Sequence, residues 1–496
     1  MAGVGGGAAA VSKALRAVRE VALASLGPAG IVEDPAELGA YACDGLTAWR
    51  ARPGLVVLPT TTEQVRTVVS ACASEGVPFV ARGSGTGLSG GAMPAAEGVL
   101  VVLSRMRRIL SVDPDEAVAV VEPGVTNAAV SAAAAPFGLY YAPDPSSQIV
   151  CSVGGNVAEN SGGAHCLKYG FTTNHVLGVE VVLADGTVTE LGAASGDELG
   201  YDLLGVLVGS EGTLGIVTRI TVRLLPRPEA VATLVADFPD PAQAGEAVSA
   251  IIATGIVPAA VEMMDRLAIR ACEEATHAGY SLDAGAALLV EVDGPAGDCA
   301  ASVANVRERC EEAGATRVRL AASEAERVTF WKARKAAFAA AGRLAPAYLV
   351  QDGVIPRTRL APTLAAMARL AEQAGLSVMN VFHAGDGNLH PLVLFDPTAP
   401  GEAARADELA TAIVALCVDQ GGSITGEHGV GVDKACSMPK MFQPDDLAVM
   451  ARVRAAFDPA GLANPGKLLP TPRLCGEAPG PYVPHPIEVA GLAERL

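Results

Sequence analysis

Ten cysteines are scattered through this 496-residue chain without a single Cys-x-x-Cys pair. That excludes an iron–sulfur ligand set and argues against a disulfide framework, so the thiols read mainly as small buried hydrophobes. Positive charge is scarce as well. Thirty-six Lys and Arg against 54 Asp and Glu leave a formal charge of −18, which excludes the basic face that nucleic acid or anionic lipid requires. Aromatic residues make up 4% of the chain, so the core must be built largely from Ala and Val. No stretch supplies about 18 apolar residues free of Gly and Pro, and none is expected to cross a membrane. The N-terminus lacks a basic stretch followed by an apolar one. A cytoplasmic protein is therefore expected.

What the chain has in quantity is glycine, 55 residues of it. Its length suggests roughly two or three domains, and changes of texture divide it into 1–49, 50–228, 229–443, 444–470 and 471–496. Residues 12–49 read as helical. Thr60 and Glu63 stand at capping-box spacing before a helix running to about Gly76. Strands are expected at 54–59, 77–82, 98–104 and 117–124, and a helix at 126–138. A hairpin over 175–188 turns at Asp185-Gly186. After residue 229, strands at 231–238 and 285–294 alternate with amphipathic helices at 241–254, 298–313 and 362–375, which suggests a second α+β unit. Further helices are expected at 402–420 and 444–456, before a Pro-rich surface tail.

The segment "RGSGTGLSGG" (82–91) contains G-x-G-x-x-G at Gly85, Gly87 and Gly90. A dinucleotide site of the Rossmann kind needs a helix opening at the third glycine. Here Pro94 and Gly98 interrupt any helix, and no acidic residue ends a second strand about 20 residues on. The context fails, but five glycines within nine residues still allow backbone amides to wrap a phosphate. Two more loops, "PDPSSQIVCSVGGNVAENSGG" (143–163) and "VGSEGTLGIVT" (208–218), permit the same close approach. A large phosphate-bearing cofactor spanning all three accounts for them better than simple turns do.

A second constellation lies far downstream. "NVFHAGDGNLHPLVLF" reads as strand, turn, strand, with His383 and His390 at the two strand ends. If the turn is 384–389, the imidazoles face each other about 5 Å apart at Cβ. "GGSITGEHGVG" adds Glu427 and His428. Two histidines and a carboxylate suit Zn, Mn or Fe, whereas Asp386 and Asn388 read as turn formers. In "FWKARKAAF", Arg334 is either a solvated helix charge or a planar clamp for a carboxylate, and Lys335 reads as solvent-facing.

Taken together, the three glycine loops and "NPGK" (464–467) resemble the FAD-binding domain of vanillyl-alcohol-oxidase type flavoproteins. From about Arg50 to Pro470 the chain resembles the D-2-hydroxy-acid dehydrogenase branch, which includes the FAD-linked subunit of glycolate oxidase. The implied fold is α+β: a two-subdomain FAD-binding domain (50–228), a substrate or cap domain with a mainly antiparallel sheet (229–443), and a return to the flavin (444–470). The resemblance places the pyrophosphate on Arg82, Gly83, Ser84, Gly85, Thr86, Gly87, Ser89 and Gly90. It lines the rest of the cofactor with Pro143, Asp144, Gly154, Gly155, Asn156, Asn160, Ser161, Glu211, Gly215, Ile216 and Asn464. His383, His390 and Glu427 become metal ligands, His428 the base, and Arg334 the carboxylate clamp. Relatives that attach FAD covalently often use a histidine in the glycine loop. None stands there, so non-covalent FAD is expected.

Relatives acting on 2-hydroxyglutarate carry a Lys in the motif matching "VQDGVIP", where this chain has Gln351-Asp352. Phe338 stands four residues after Arg334. Both departures favour a small acid such as glycolate or D-lactate. The expected reaction is oxidation of a D-2-hydroxy acid to the 2-oxo acid by hydride transfer to flavin. Arg334 holds the carboxylate, a divalent metal polarises the hydroxyl, and His428 takes its proton. The resemblance implies that electrons pass to a quinone or to an iron–sulfur partner subunit, with a second flavin-type subunit among the implied partners, through which the chain would sit peripherally at the inner membrane. The rivals are a D-lactate dehydrogenase, a non-catalytic FAD-binding scaffold subunit and a flavin-free metallohydrolase.

Overall fold

The computed structural model describes residues 13–193, 200–470 and 493–495. The expected Pro-rich surface tail and the first twelve residues lie outside them. The N-terminal helix is Lys13–Leu26, and beyond it the chain forms short turns of helix and the two-residue strand Ile31–Val32 up to Tyr41. Gly27, Pro28, Pro35 and Gly39 break the longer helix expected through residue 49, because glycine and proline interrupt the intrahelical ladder.

The first half is built around two larger sheets. Val99–Val102 lies between Leu55–Val57 and Phe79–Arg82, parallel to both, and Ile31–Val32 adds an antiparallel edge. Helix Thr62–Glu75 connects two of these strands. Its cap falls one residue later than expected: Thr61 accepts from the Gln64 amide at 3.2 Å, while the Thr60 amide donates to the Gln64 side chain at 2.7 Å. The second sheet is five-stranded and antiparallel, and includes the expected hairpin of Val176–Val182 with Val188–Gly192. No helix follows Gly90, and the next strand is Val99–Val102.

The second half is built on a nine-stranded sheet whose pairings are all antiparallel. Alternation sorts its strands onto two faces. Leu234, Ala236 and Phe238 join Leu288 and Val290 under helices Pro241–Ala253, Ala296–Glu312, Leu360–Ala374 and Glu402–Asp419. Val235, Ala287, Leu289, Met379 and Val381 pack under helices Arg266–Thr276 and Glu324–Lys335. Burial on both faces leaves no solvated side for polar residues. A charged residue inside these strands therefore needs a partner.

Candidate active site

A cavity of about 370 Å³ lies between the two halves. Gly83, Ser84, Gly85, Thr86 and Gly87 line one wall, with Gly155, Asn156 and Ser161 from the second loop. His390, Glu427 and His428 line another, beside Lys335 and Phe338. A smaller cavity of about 70 Å³ borders Arg82, Gly83, Gly154, Gly155, Glu211 and Gly215. Gly83 permits this approach of loops, since a Cβ there would stand 2.1 Å from the Ser152 hydroxyl oxygen.

Several expected cofactor residues brace the cavity and do not face it. The Arg82 guanidinium donates to the Cys43 carbonyl at 2.6 Å. Ser89 and Gly90 pack on the far side, where the Ser89 carbonyl accepts from the Val432 and Asp433 amides. The Pro143 carbonyl accepts from Asn127, and Asp144 faces His165 at 2.9 Å. Asn160 sits at φ 51°, with its side chain accepting from the Thr173 amide. Ile216 belongs to the apolar core. The Asn464 amide nitrogen donates to the Gly91 carbonyl at 2.9 Å and to the Glu211 carbonyl at 2.6 Å, tying two glycine loops together. Glu211 in turn accepts from the Val430 and Gly431 amides at 2.6 and 2.7 Å. That carboxylate couples the first half to the loop bearing Glu427 and His428.

The histidine cluster grows from strand register. His383 ends strand Ser377–His383 and pairs with Glu262 on the neighbouring strand. Within its own hairpin His383 pairs with Asn388 and not with His390, because Asn388 and Leu389 already form strand after a tighter turn. The two rings still meet at 5.0 Å between centroids. Asp386 closes the turn by accepting from the Asn388 amide at 3.0 Å.

Glu427 Oε1 stands 3.1 Å from His383 Nε2 and 2.9 Å from His390 Nε2, while Glu262 holds His383 Nδ1 at 2.7 Å. Donors about 3 Å apart, around bonds of roughly 2.0–2.2 Å, suit one divalent cation. A carboxylate on the remote nitrogen is what orients a ligating imidazole. A second grouping, Asp352, His390 and His428, is also compact, but Asp352 is already occupied. It accepts from the Thr425 hydroxyl at 2.6 Å and from the Gly426, Glu427 and His428 amides, with the Lys434 ammonium at 3.4 Å. Its oxygens build the loop and are not left for a cation.

Burial opposes the charged form of His383, yet Glu262 and then Glu427 outweigh it and hold its pKa well above the usual imidazole value. The two histidines correspondingly hold Glu427 well below the usual carboxylate value, against the effect of burial. A bound cation would replace those shared protons. His428 behaves oppositely: burial pushes it down to about 4, despite Asp352. Its ring, stacked 4.8 Å from that of His390, is therefore neutral near pH 7 and able to accept a proton.

Arg334 departs from expectation. It is buried, does not line the cavity, and pairs with Glu262 at 2.5 Å behind His383. Its helix turns that face toward the apolar core and leaves Lys335 at the cavity wall.

A family model for FAD-binding domains matches residues 53–192, and one for the C-terminal domain of FAD-linked oxidases matches 227–468. The glycolate oxidase subunit GlcD of Escherichia coli is 52% identical over 455 residues, covering 92% of this chain and 91% of the relative. The chain belongs to the FAD-linked oxidases. A D-lactate dehydrogenase of Archaeoglobus fulgidus is 34% identical over 428 residues, covering 86% of this chain and 93% of the relative. The 4-ethylphenol oxidase of Gulosibacter chungangensis superposes with a TM-score of 0.77 at 22% identity, covering 92% and 98% of the two chains, and shares the vanillyl-alcohol-oxidase type fold. This FAD-linked oxidase is thus an FAD-dependent oxidoreductase of hydroxy acids. Its glycine loops fit the cofactor: they open backbone onto the same cavity as the polar cluster.

Some residues of the oxidase escaped the sequence reading. Glu262 in "AAVEMMD" and Glu291 in "GAALLVEVDG" interrupt apolar strands, and a lone acid in such a run signals a buried pair. The structure supplies the partners, Arg334 and His383 for Glu262, and Arg327 and His165 for Glu291. Pro145, Ser146, Ser147 and Ser152 line the main cavity from within the quoted second loop.

Proposed function

We propose that the chain oxidises a small D-2-hydroxy acid to the 2-oxo acid, with glycolate favoured and D-lactate the runner-up. The observation that carries this is the single cavity lined by Gly83–Gly87 on one wall and by His390, Glu427 and His428 on another. FAD, when bound non-covalently along the glycine loops, supplies the acceptor for the two electrons and the α-hydrogen. A divalent cation of the Zn, Mn or Fe class, when held by His383, His390 and Glu427, supplies Lewis acidity toward the substrate hydroxyl.

The remaining work falls to the chain's own side chains. The Lys335 ammonium faces the cavity and holds the carboxylate; among the described residues it is the sole Lys or Arg lining it. A neutral His428 ring nitrogen takes the hydroxyl proton. Glu262 keeps the Nε2 atom of His383 turned toward Glu427, and Arg334 balances the charge of Glu262. The Phe338 ring, 6.0 Å from His390, closes the wall where a longer acid would extend. Electrons leave for a quinone or an iron–sulfur partner subunit, a reading supported by the relative named as an oxidase subunit. Among the described residues, no helix is long and apolar enough to cross a membrane.

Turnover of glycolate, D-lactate and D-2-hydroxyglutarate, measured with an artificial acceptor and with O₂, tests the reading. Glycolate is expected to give the highest kcat/KM, and D-2-hydroxyglutarate little or none. A preference for the five-carbon diacid would overturn the size argument built on Phe338.

A further inference from the structure

Outside the two cavities described above, a further pocket of about 320 Å³ is lined by His165, Arg327, Val328, Trp331, Lys332 and Lys335. Four of its six residues are basic, in a chain whose formal charge is −18. Lys335 lines both this pocket and the cavity that holds His428. We propose that this pocket is an anion-receiving vestibule, a binding site for a small carboxylate on its way to Lys335 and the catalytic cavity. The inference rests on the hydroxy-acid reading above and extends it to a site outside the reacting centre.

The charges facing the pocket divide into spent and available ones. Arg327 is spent on Glu291 at 2.8 Å and on Glu324 at 2.9 Å. His165 lies between Asp144 at 2.9 Å and Glu291 at 3.2 Å. Lys335 has a looser tie to Asp144, at 3.7 Å. Lys332 is exposed and forms no ion pair among the described residues. Two ammonium groups, one turn apart on helix Glu324–Lys335, therefore remain for an incoming anion.

Trp331 gives the vestibule a rigid wall. Its indole N–H donates to Glu291 at 2.7 Å, its ring stacks on His165 at 5.4 Å between centroids, and Lys335 Nζ lies 5.6 Å from its ring. An anion approaching an acidic protein is repelled over most of the surface. A cationic cleft focuses the field locally and raises anion occupancy next to the catalytic cavity.

The test compares Lys332→Glu with Lys440→Glu, the same charge change at another exposed lysine outside the pocket. Steady-state kinetics with glycolate and an uncharged artificial acceptor are run across ionic strength on the flavin-loaded enzyme. K332E is expected to raise KM roughly four-fold at low salt, an effect that shrinks as salt screens it, with kcat little changed. K440E is expected to match the unsubstituted enzyme. A K332E enzyme with unaltered KM at low salt, or a difference that salt leaves untouched, would overturn the vestibule. So would an effect confined to the KM of a protein acceptor, which would make the patch a docking face.

Titration of bound oxalate through the flavin absorbance repeats the comparison without turnover. A chain that fails to oxidise glycolate yet binds oxalate more weakly as K332E would sink the substrate reading and keep the vestibule.

Discussion

The two walls of the cavity are made by different physics. The glycine-loop wall is largely backbone: Gly83, Gly85 and Gly87 line the cavity without side chains. Its stiffness comes from behind, through Asn464, Glu211 and the Ser89 carbonyl. The histidine–carboxylate wall is side chain. His383 and Glu262 stand on adjacent strands of a sheet buried on both faces, and polar contacts run from Arg334 through Glu262 and His383 to Glu427, which also meets His390. A backbone wall tolerates changes of side-chain chemistry but not of volume. A charge-paired wall tolerates modest changes of volume but not of charge. Each wall should therefore fail separately, and in its own way.

The largest break is expected at Asp352, because one carboxylate holds the amides of residues 426–428 and faces Lys434. Asp352→Ala leaves those donors and a buried ammonium unpaired, costing about 3–5 kcal/mol of stability. It should also abolish turnover while flavin content is retained, which denaturant melts and flavin absorbance would show. Next comes Glu427→Gln, which keeps shape and removes charge. Metal content and kcat are expected to collapse, the latter by roughly 10²-fold or more, with FAD still bound. Gly83→Ala is the mirror experiment, since its Cβ meets Ser152 at 2.1 Å. It should release flavin on gel filtration and leave metal content intact. If either variant lost both ligands together, the two walls would be one cooperative unit and the comparison would fail.

A smaller effect concerns pH. His165, held between Asp144 and Glu291, is raised to about 10 against the lowering effect of burial. Its folded pKa exceeds the unfolded value near 6.5, so its stabilisation is complete below about pH 6.5 and is lost as pH rises toward 10. Denaturation midpoints should fall between pH 7 and 10, and His165→Gln should flatten that slope. Asn464→Ala is expected to be mildest, at about 1–3 kcal/mol for the two carbonyls it leaves unpaired. Flavin affinity should weaken as the glycine loop loosens.

Much of the backbone wall was legible in the sequence, because glycine clusters declare where backbone must approach a ligand. The missing helix after Gly90 was readable from Pro94 and Gly98. What was not legible was which loop residues face inward. Ser89 and Gly90 sit in the same motif as Gly83–Gly87, yet like Asn464 of "NPGK" they serve as struts, a distinction set by contacts hundreds of residues away. The metal-type donors were readable from the His383 and His390 hairpin and from "GEHG". The one-sided register of the hairpin was not, since it depends on Asn388 entering the sheet early. Arg334 and Lys335 show the limit best: neighbours on one helix, Arg334 is buried against Glu262 while Lys335 lines the cavity, the reverse of the exposure expected of them. Helix rotation is fixed by packing against the core, and Glu262 draws Arg334 inward.

The central claim is that flavin and the His428 cluster address the same substrate in one chamber. Anaerobic mixing of the purified, flavin-loaded chain with excess glycolate tests it most directly. Rapid loss of the oxidised-flavin absorbance is expected, abolished in His428→Ala although that variant still holds FAD. Oxidised flavin that persists under glycolate and D-lactate alike, or bleaching at an undiminished rate in His428→Ala, would contradict the account.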